Sequence, residues 1–476
     1  MKQLFPCALI LVLAHPAVAE RVVVDADAKV AYARYLEATP AAKRDEQGSA
    51  GGAQPQALTA ADFRAHDPAV VELGRLLFFD KVLSGNGNIA CASCHHPFGA
   101  TGDGLSLPVG EGGRGFGVTR SLGAGGERVH ERVPRHAPPL FNLGAVGLTS
   151  LFHDGRIERD TTHPAGFESP AGDALPRGLD SLAAAQALFP LTSATEMAGH
   201  PGENPQADAA GAGELIEVWE LVTNRLRSID AYVVRFAAAY DDVDEAADLT
   251  IVHVANAIGA FEETTWRSID SRFDRYLRGD VIALSPRERH GMALFFGAAG
   301  CGDCHGGPLL TDQSFRAIGM PQIGPGKGDN LPGFQDGLDD FGRERVTGEV
   351  IDRFRFRVPP LRNVALTAPY GHAGAYASLE AVIRHHLDPI EALRIYDDRQ
   401  LSLPPRRDLD ARDRAFMSDG YSISALSAHV EIEPRDLADQ EIGLLIDFLE
   451  ALTDPTMLDR RVDVPIHVPS GLPVRD

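Results

Sequence analysis

Two copies of one short cysteine pattern constrain this chain more than any bulk property. Cys91-Ala92-Ser93-Cys94-His95 and Cys301-Gly302-Asp303-Cys304-His305 both read C-x-x-C followed at once by histidine. Four cysteines in an exported chain would ordinarily suggest two disulfides. A redox C-x-x-C has no need of the histidine, however, and a zinc site rarely repeats it in both halves of a chain without other cysteines. The spacing is that of c-type haem attachment, in which two thiols form thioethers to the porphyrin vinyl groups and the adjacent imidazole becomes the proximal iron ligand. The sequence therefore predicts two covalently bound haem c groups, one on Cys91, Cys94 and His95 and one on Cys301, Cys304 and His305, with no disulfide.

Export is read from the first residues. Lys2 gives a positive start, Leu4 to Leu13 an apolar stretch, and Ala17-Val18-Ala19 an A-x-A cleavage site before Glu20. That stretch is too short to span about 30 Å of hydrocarbon and fits the centre of a secretory signal peptide, which takes Cys7 with it and predicts a periplasmic protein with no membrane span. Lys and Arg number 45 against 67 Asp and Glu among 476 residues, a net charge of -22. This is the wrong sign for phosphate neutralisation, so no nucleic-acid partner is expected. An acidic surface suits a basic protein partner, and solubility alone accounts equally well for the charge.

The halves also resemble each other around the motifs. Leu77-Phe78-Phe79 precedes the first and Leu294-Phe295-Phe296 the second. Pro138-Pro139-Leu140-Phe141-Asn142 is answered by Pro359-Pro360-Leu361-Arg362-Asn363, and each is followed by a histidine before a Gly turn, His153-Asp154-Gly155 and His372-Ala373-Gly374. Matches in the same order argue for a duplication. Apolar residues at three- and four-residue intervals predict helices over Leu215 to Tyr240, Leu249 to Trp266 and Leu437 to Leu452. Gly110 to Gly126 holds eight glycines and lacks the strand-then-helix setting of a phosphate cradle, so it reads as a loop beside a haem, as does Met320 to Phe341. The expected fold is mostly α, two c-type cytochrome domains in one chain with long loops. The boundaries are a leader over 1–19, an extension over 20–62, haem domains over 63–280 and 281–455, and a tail over 456–476.

With Leu83-Ser84-Gly85, Phe152-His153-Asp154-Gly155-Arg156, Glu196-Met197, Gly342-Arg343, Val346-Thr347, Val358 to Asn363 and Leu366 to Tyr370, the chain resembles the bacterial dihaem cytochrome c peroxidase and MauG-like family over roughly Phe63 to Thr453. The resemblance implies a peroxide-reacting N-terminal haem and an electron-transferring C-terminal haem facing each other across a shared interface. It also implies that Glu196 is the acid–base group that moves a proton between the peroxide oxygens. Many of the peroxidases block the first haem with a histidine in a Ser-x-Gly-His context. Here Glu111 stands in its place, and a carboxylate is a poor ligand at a nitrogen-preferring site, so an open or water-bound iron is expected. His130 and His136 lie further along as alternative caps. The family's tryptophan between the haems is replaced by His153, which is harder to oxidise and is expected either to hydrogen-bond near the haems or to serve only structure. His372 follows the second Pro motif as a further inter-haem candidate. Arg135-His136 stands where the family often has Arg-Asn, removing an oxygen ligand and weakening the case for calcium, to which the carbonyls of Thr367 and Pro369 could still contribute.

The second haem needs a closed coordination sphere. Ser378 reads as a helix N-cap, after which Leu379, Val382, Ile383 and His386 share one apolar face. His386 is thus expected to point inward as the sixth ligand, with His385 turned aside by about 100°. Bis-histidine ligation lowers the potential relative to His/Met. The leading functional expectation is a dihaem peroxidase reducing hydrogen peroxide with electrons from a small c-type cytochrome or cupredoxin, with a homodimer left open. The alternatives are a MauG-like oxidase modifying a side chain of a partner protein, and a non-enzymatic dihaem electron-transfer cytochrome.

Overall fold

Asp67 caps the first long helix by accepting from the backbone of Ala69, with Pro68 at the first helical position, and α1 runs Pro68–Phe79 into the first cysteine motif. These features belong to a computed structural model that describes residues 55–123, 129–327 and 337–475. The leader, most of the extension and parts of both expected loops lie outside the described residues. The predicted helix from Leu215 to Tyr240 is two helices, α2 (Leu215–Arg227) and α3 (Asp230–Ala239). The Ser228 hydroxyl donates back to the Arg225 carbonyl at 2.7 Å and competes with the helical ladder where α2 stops. α4 spans Ile251–Thr265, and α5 (Pro286–Phe295) starts at Ser285 with a capping box closed by Glu288. The helices α6 (Leu379–Leu387) and α7 (Asp439–Glu450) complete the set that shapes the sites.

The protein is mostly helical with few strands. β1 (Ser150–Leu151), β2 (Ile157–Arg159) and β3 (Phe167–Glu168) form one small antiparallel sheet, and β4 (Phe315–Arg316) pairs with β5 (Phe356–Arg357) in another. No helix among the described residues is long and apolar enough to cross a membrane.

Two helix pairs lead to the two cysteine motifs. α1 lies so close to α4 that a Cβ added at Gly74 would sit 1.8 Å from the Ala257 carbonyl oxygen. α5 lies on α7 in the same way, with a Cβ at Gly291 falling 1.9 Å from the Leu444 carbonyl oxygen. Beside each contact a phenylalanine pair locks the helices, Phe78 with Phe261 and Phe295 with Phe448, both at 5.3 Å between ring centroids. Burying each such ring contributes about 1.5–3 kcal/mol.

Most of the core falls into two clusters, one mainly from Leu58 to Trp266 and one running from Leu107 and Phe273 to Leu452. Phe273 precedes residue 281 in sequence yet packs edge-on against Phe448 of the second cluster. The tail returns to the first half, where Met457 and Val468 join its core and Ser470 donates to Asp80 at 2.7 Å. Asn142 and Asn363 both adopt left-handed backbone, at φ 60° and 63°. Asn142 bonds the backbone of Ser268 in both directions, and Asn363 accepts from the backbone of Asp454, so each pins the chain just beyond α4 or α7.

Candidate functional site

Each cysteine motif winds into a tight turn, Cys91–Ser93 and Cys301–Asp303. The amide of the following histidine donates to the first cysteine's carbonyl, 3.0 Å for His95 and 2.8 Å for His305. Nδ1 of His95 lies 3.0 Å from the Thr101 carbonyl oxygen and Nδ1 of His305 lies 3.2 Å from that of Leu310. A carbonyl only accepts, so Nδ1 carries the proton in both rings and Nε2 keeps the lone pair that an iron would take. Burial pushes both imidazoles down to about 4, which keeps them neutral near pH 7. Among the described residues, Cys91, Cys94, Cys301 and Cys304 form no disulfide. Burial, helped by the carboxylate of Glu262, pushes the Cys91 thiol up to about 12, unlike a reactive redox pair.

Glu196 lies in one wide turn, Ala194–Ala198. Three contacts hold that turn. The Thr195 carbonyl accepts from the amide of Glu111 at 3.0 Å, that of Met197 from Gly85 at 2.8 Å, and that of Ala198 from the Asn204 side chain at 3.0 Å. The charge of Glu196 is felt at Cys91, at Cys94 and at Lys327, whose ammonium is pushed down to about 7 mainly by burial. Glu111 is buried, and one carboxylate oxygen accepts from Asn86 at 2.8 Å and from Asn88 at 2.7 Å. His130 lies at the surface with its ring 4.1 Å from that of His200, whereas His136 is buried with Nδ1 2.9 Å from the Leu105 carbonyl oxygen.

On the second side, Nδ1 of His386 lies 2.8 Å from the Val382 carbonyl oxygen, which again leaves Nε2 free. A positive charge on either ring would disfavour one on the other, so His305 and His386 sit within electrostatic reach. The expectation that His385 is turned aside is corrected: it is wholly buried, bonded to Tyr376 and to the Ile318 carbonyl. α6 is wedged between two surfaces, and a single apolar stripe in sequence registers only one of them.

The halves meet at a charged seam. Arg135 binds Asp154 at 2.6 Å and Asp340 at 2.6 and 2.8 Å, all three buried. His153 places Nε2 3.0 Å from the His136 carbonyl oxygen, while its own carbonyl accepts from the Arg357 amide at 2.8 Å. Burial first, and then Arg135, push its imidazole down to about 3. His372 is buried and stacked on Phe356 at 3.7 Å, and neither ring nitrogen has a hydrogen-bond partner. Sequence reasoning missed Lys327, Asn86, Asn88 and the Arg135–Asp340 pair. Asn86 and Asn88 directly follow the Leu83-Ser84-Gly85 marker, the one signal that could have found them.

Residues 68–281 match the family described as di-haem cytochrome c peroxidase. The methylamine utilization protein MauG of Methylorubrum extorquens is 32% identical over 320 residues, covering 67% of this chain and 69% of that protein. The cytochrome c551 peroxidase of Nitrosomonas europaea is 30% identical, covering 66% of this chain and 71% of that protein. The chain belongs to the di-haem cytochrome c peroxidase family. It is an oxidoreductase, and the family carries two haems. Among solved structures, a MauG-like protein associated with microbial copper homeostasis aligns with a TM-score of 0.53 at 28% identity, covering 86% of this chain and 95% of that one. The diheme peroxidase BthA of Burkholderia thailandensis E264, at 21% identity with a TM-score of 0.52 and covering 90% of this chain and 96% of that one, shares the fold.

The residues of this peroxidase fit such cofactors. Besides the two motifs, both nitrogens of His372 and Nη1 of Arg357 are buried donors or acceptors without partners, the kind of group a haem's anionic edge satisfies. Among the described residues, no group of three or more His, Cys, Asp or Glu is arranged to hold a further metal ion.

Proposed function

We propose that this chain is an exported, periplasmic di-haem c peroxidase whose two halves arose by duplication and now do different work. The observation that carries the reading is the asymmetry around two alike histidines. Glu196, on a braced turn, stands within electrostatic reach of Cys91 and Cys94 in the first motif, and His386 stands within electrostatic reach of His305 in the second. In this reading Cys91 and Cys94 hold one haem and Cys301 and Cys304 the other, each through thioethers. When bound, the first haem supplies the iron position at which the peroxide O–O bond is cleaved, a reduction that consumes two electrons and two protons.

The chain's own residues do the remainder. Glu196 takes the proton from the near peroxide oxygen and gives it to the far one. Asn86 and Asn88 hold the Glu111 carboxylate, so it does not close the first site as the blocking histidine of other family members does. His386 closes the second site against water and substrate, and His153, neutral and hydrogen-bonded, serves as a positioning group at the seam. Electrons arrive from a small c-type cytochrome or cupredoxin. His136, with one nitrogen committed to the Leu105 carbonyl, brings no carboxylate or amide oxygen that a calcium ion would favour.

Glu196→Gln tests the reading. Both haems should remain in place, and peroxide turnover should fall by about 10²–10⁴, the range for a lost acid–base group. Unchanged turnover would move the acid–base role away from Glu196.

A further inference from the structure

The second half contains a hydrogen-bonded pair that the peroxidase reading leaves unused. Tyr376 is buried, and its hydroxyl lies 2.8 Å from Nδ1 of His385. On the far side of that ring, Nε2 lies 2.8 Å from the Ile318 carbonyl oxygen. The carbonyl can only accept, so Nε2 carries the ring proton, Nδ1 is the acceptor and Tyr376 donates. A phenol bonded to such a base can lose an electron and its proton together. A phenol bonded to a carbonyl has no place to leave the proton, and that is the situation of Tyr370, which donates to Val364, and of Tyr396, which donates to Ala375.

The pair also lies on a line of rings. Centroids of His386 and His385 are 6.1 Å apart, those of His385 and Tyr376 5.2 Å, and those of Tyr376 and Tyr396 5.6 Å. Tyr396 is half-buried between exposed Ile395 and exposed Asp397, so the line runs from the proposed second-haem ligand to the surface.

We infer that Tyr376, with His385 as its proton acceptor, is a redox relay between the second haem site and the protein surface. One electron passes from Tyr376 to the haem pair after peroxide has oxidised that pair. The phenolic O–H bond breaks and an N–H bond forms at His385 Nδ1, leaving a neutral tyrosyl radical and an imidazolium that still donates to Ile318. An electron from the donor, crossing the Tyr396 ring as a bridge, restores the phenol and returns the proton. The inference rests on the peroxidase reading, which supplies the oxidant.

The test mixes haem-loaded protein with hydrogen peroxide in the absence of donor, freezes it at intervals and records EPR, with peroxide consumption followed in parallel. The expected result is a tyrosyl signal whose hyperfine structure collapses when the protein is made with ring-deuterated tyrosine. Tyr376→Phe should lose that signal while keeping the resting haem spectrum, His385→Gln should also lose it, and Tyr396→Phe should keep it. Peroxide consumption with no tyrosyl signal, or with the same signal in Tyr376→Phe, would overturn the relay alone. Absence of peroxide consumption in the unmodified protein would overturn the peroxidase reading and the relay with it.

Discussion

In the first half, Gly74 lets α1 lie against the backbone of α4, Phe78 packs on Phe261, and the His95 ring is oriented by a carbonyl six residues on, at Thr101. In the second, Gly291, Phe295 with Phe448 and the Leu310 carbonyl do the same for His305. Around these matched frames the surroundings differ: a carboxylate on a braced turn beside one, a second imidazole on a helix beside the other. In the proposed reading, two sites with the same proximal design are specialised by what a single further element brings to them, because an open iron position favours reaction with peroxide and a closed one favours electron transfer.

The comparison can be broken most completely at the thiols. Cys301→Ser with Cys304→Ser should leave one covalent haem per chain, and the reciprocal pair at Cys91 and Cys94 should leave the other. Intact mass then reads which half kept its cofactor, and two haems retained in either variant would refute thioether attachment. Next in size comes the loss of turnover in Glu196→Gln, with no comparable loss expected for Glu111→Gln, whose carboxylate is already held by two asparagines.

The shared frame can be tested by stability. Gly74→Ala and Gly291→Ala each force a Cβ into a carbonyl oxygen at 1.8 and 1.9 Å. Each is expected to cost at least about 1–3 kcal/mol by overpacking, which outweighs the roughly 1 kcal/mol that alanine gains in helix propensity. Similar downward shifts of the thermal midpoint would sharpen the parallel, and a loss at only one position would break it.

His386→Met probes the difference between the halves with little effect on the fold. A low-spin iron should persist with a raised potential and the weak near-infrared absorption of sulfur ligation. If the unmodified protein already shows that absorption, His386 is not the ligand.

The smallest effect concerns Asp103, a buried carboxyl in the first half. Burial pushes it up from 3.8 to about 7, against the pull of the Leu105 amide and of Arg120. A raised acid binds its proton more tightly folded than unfolded, so its contribution to stability is present below about pH 4 and is lost as pH rises through about 7. Asp103→Asn should flatten that fall in thermal unfolding between those limits. An unchanged slope would show that the carboxyl is ionised throughout.

The sequence alone determined where covalent haem attachment is proposed in this protein. C-x-x-C-H needs only neighbours along the chain, so the cysteines and the two proximal histidines are legible without a fold. So are α4 and α7, whose apolar stripes exceed the length at which helix and strand can be confused, and the Ser378 cap that starts α6. The tertiary structure decided whatever depends on groups distant in sequence. Asn86 and Asn88 reach Glu111, Arg135 reaches Asp340, and the tail beyond residue 455 returns to the first core. The structure also reversed the expectation for His385, since the periodicity of one helix reports a single buried face and cannot reveal that Tyr376 and the Ile318 carbonyl cover another. Local spacing fixes which atoms can bond a haem, and packing fixes which proton donors and acceptors stand around it.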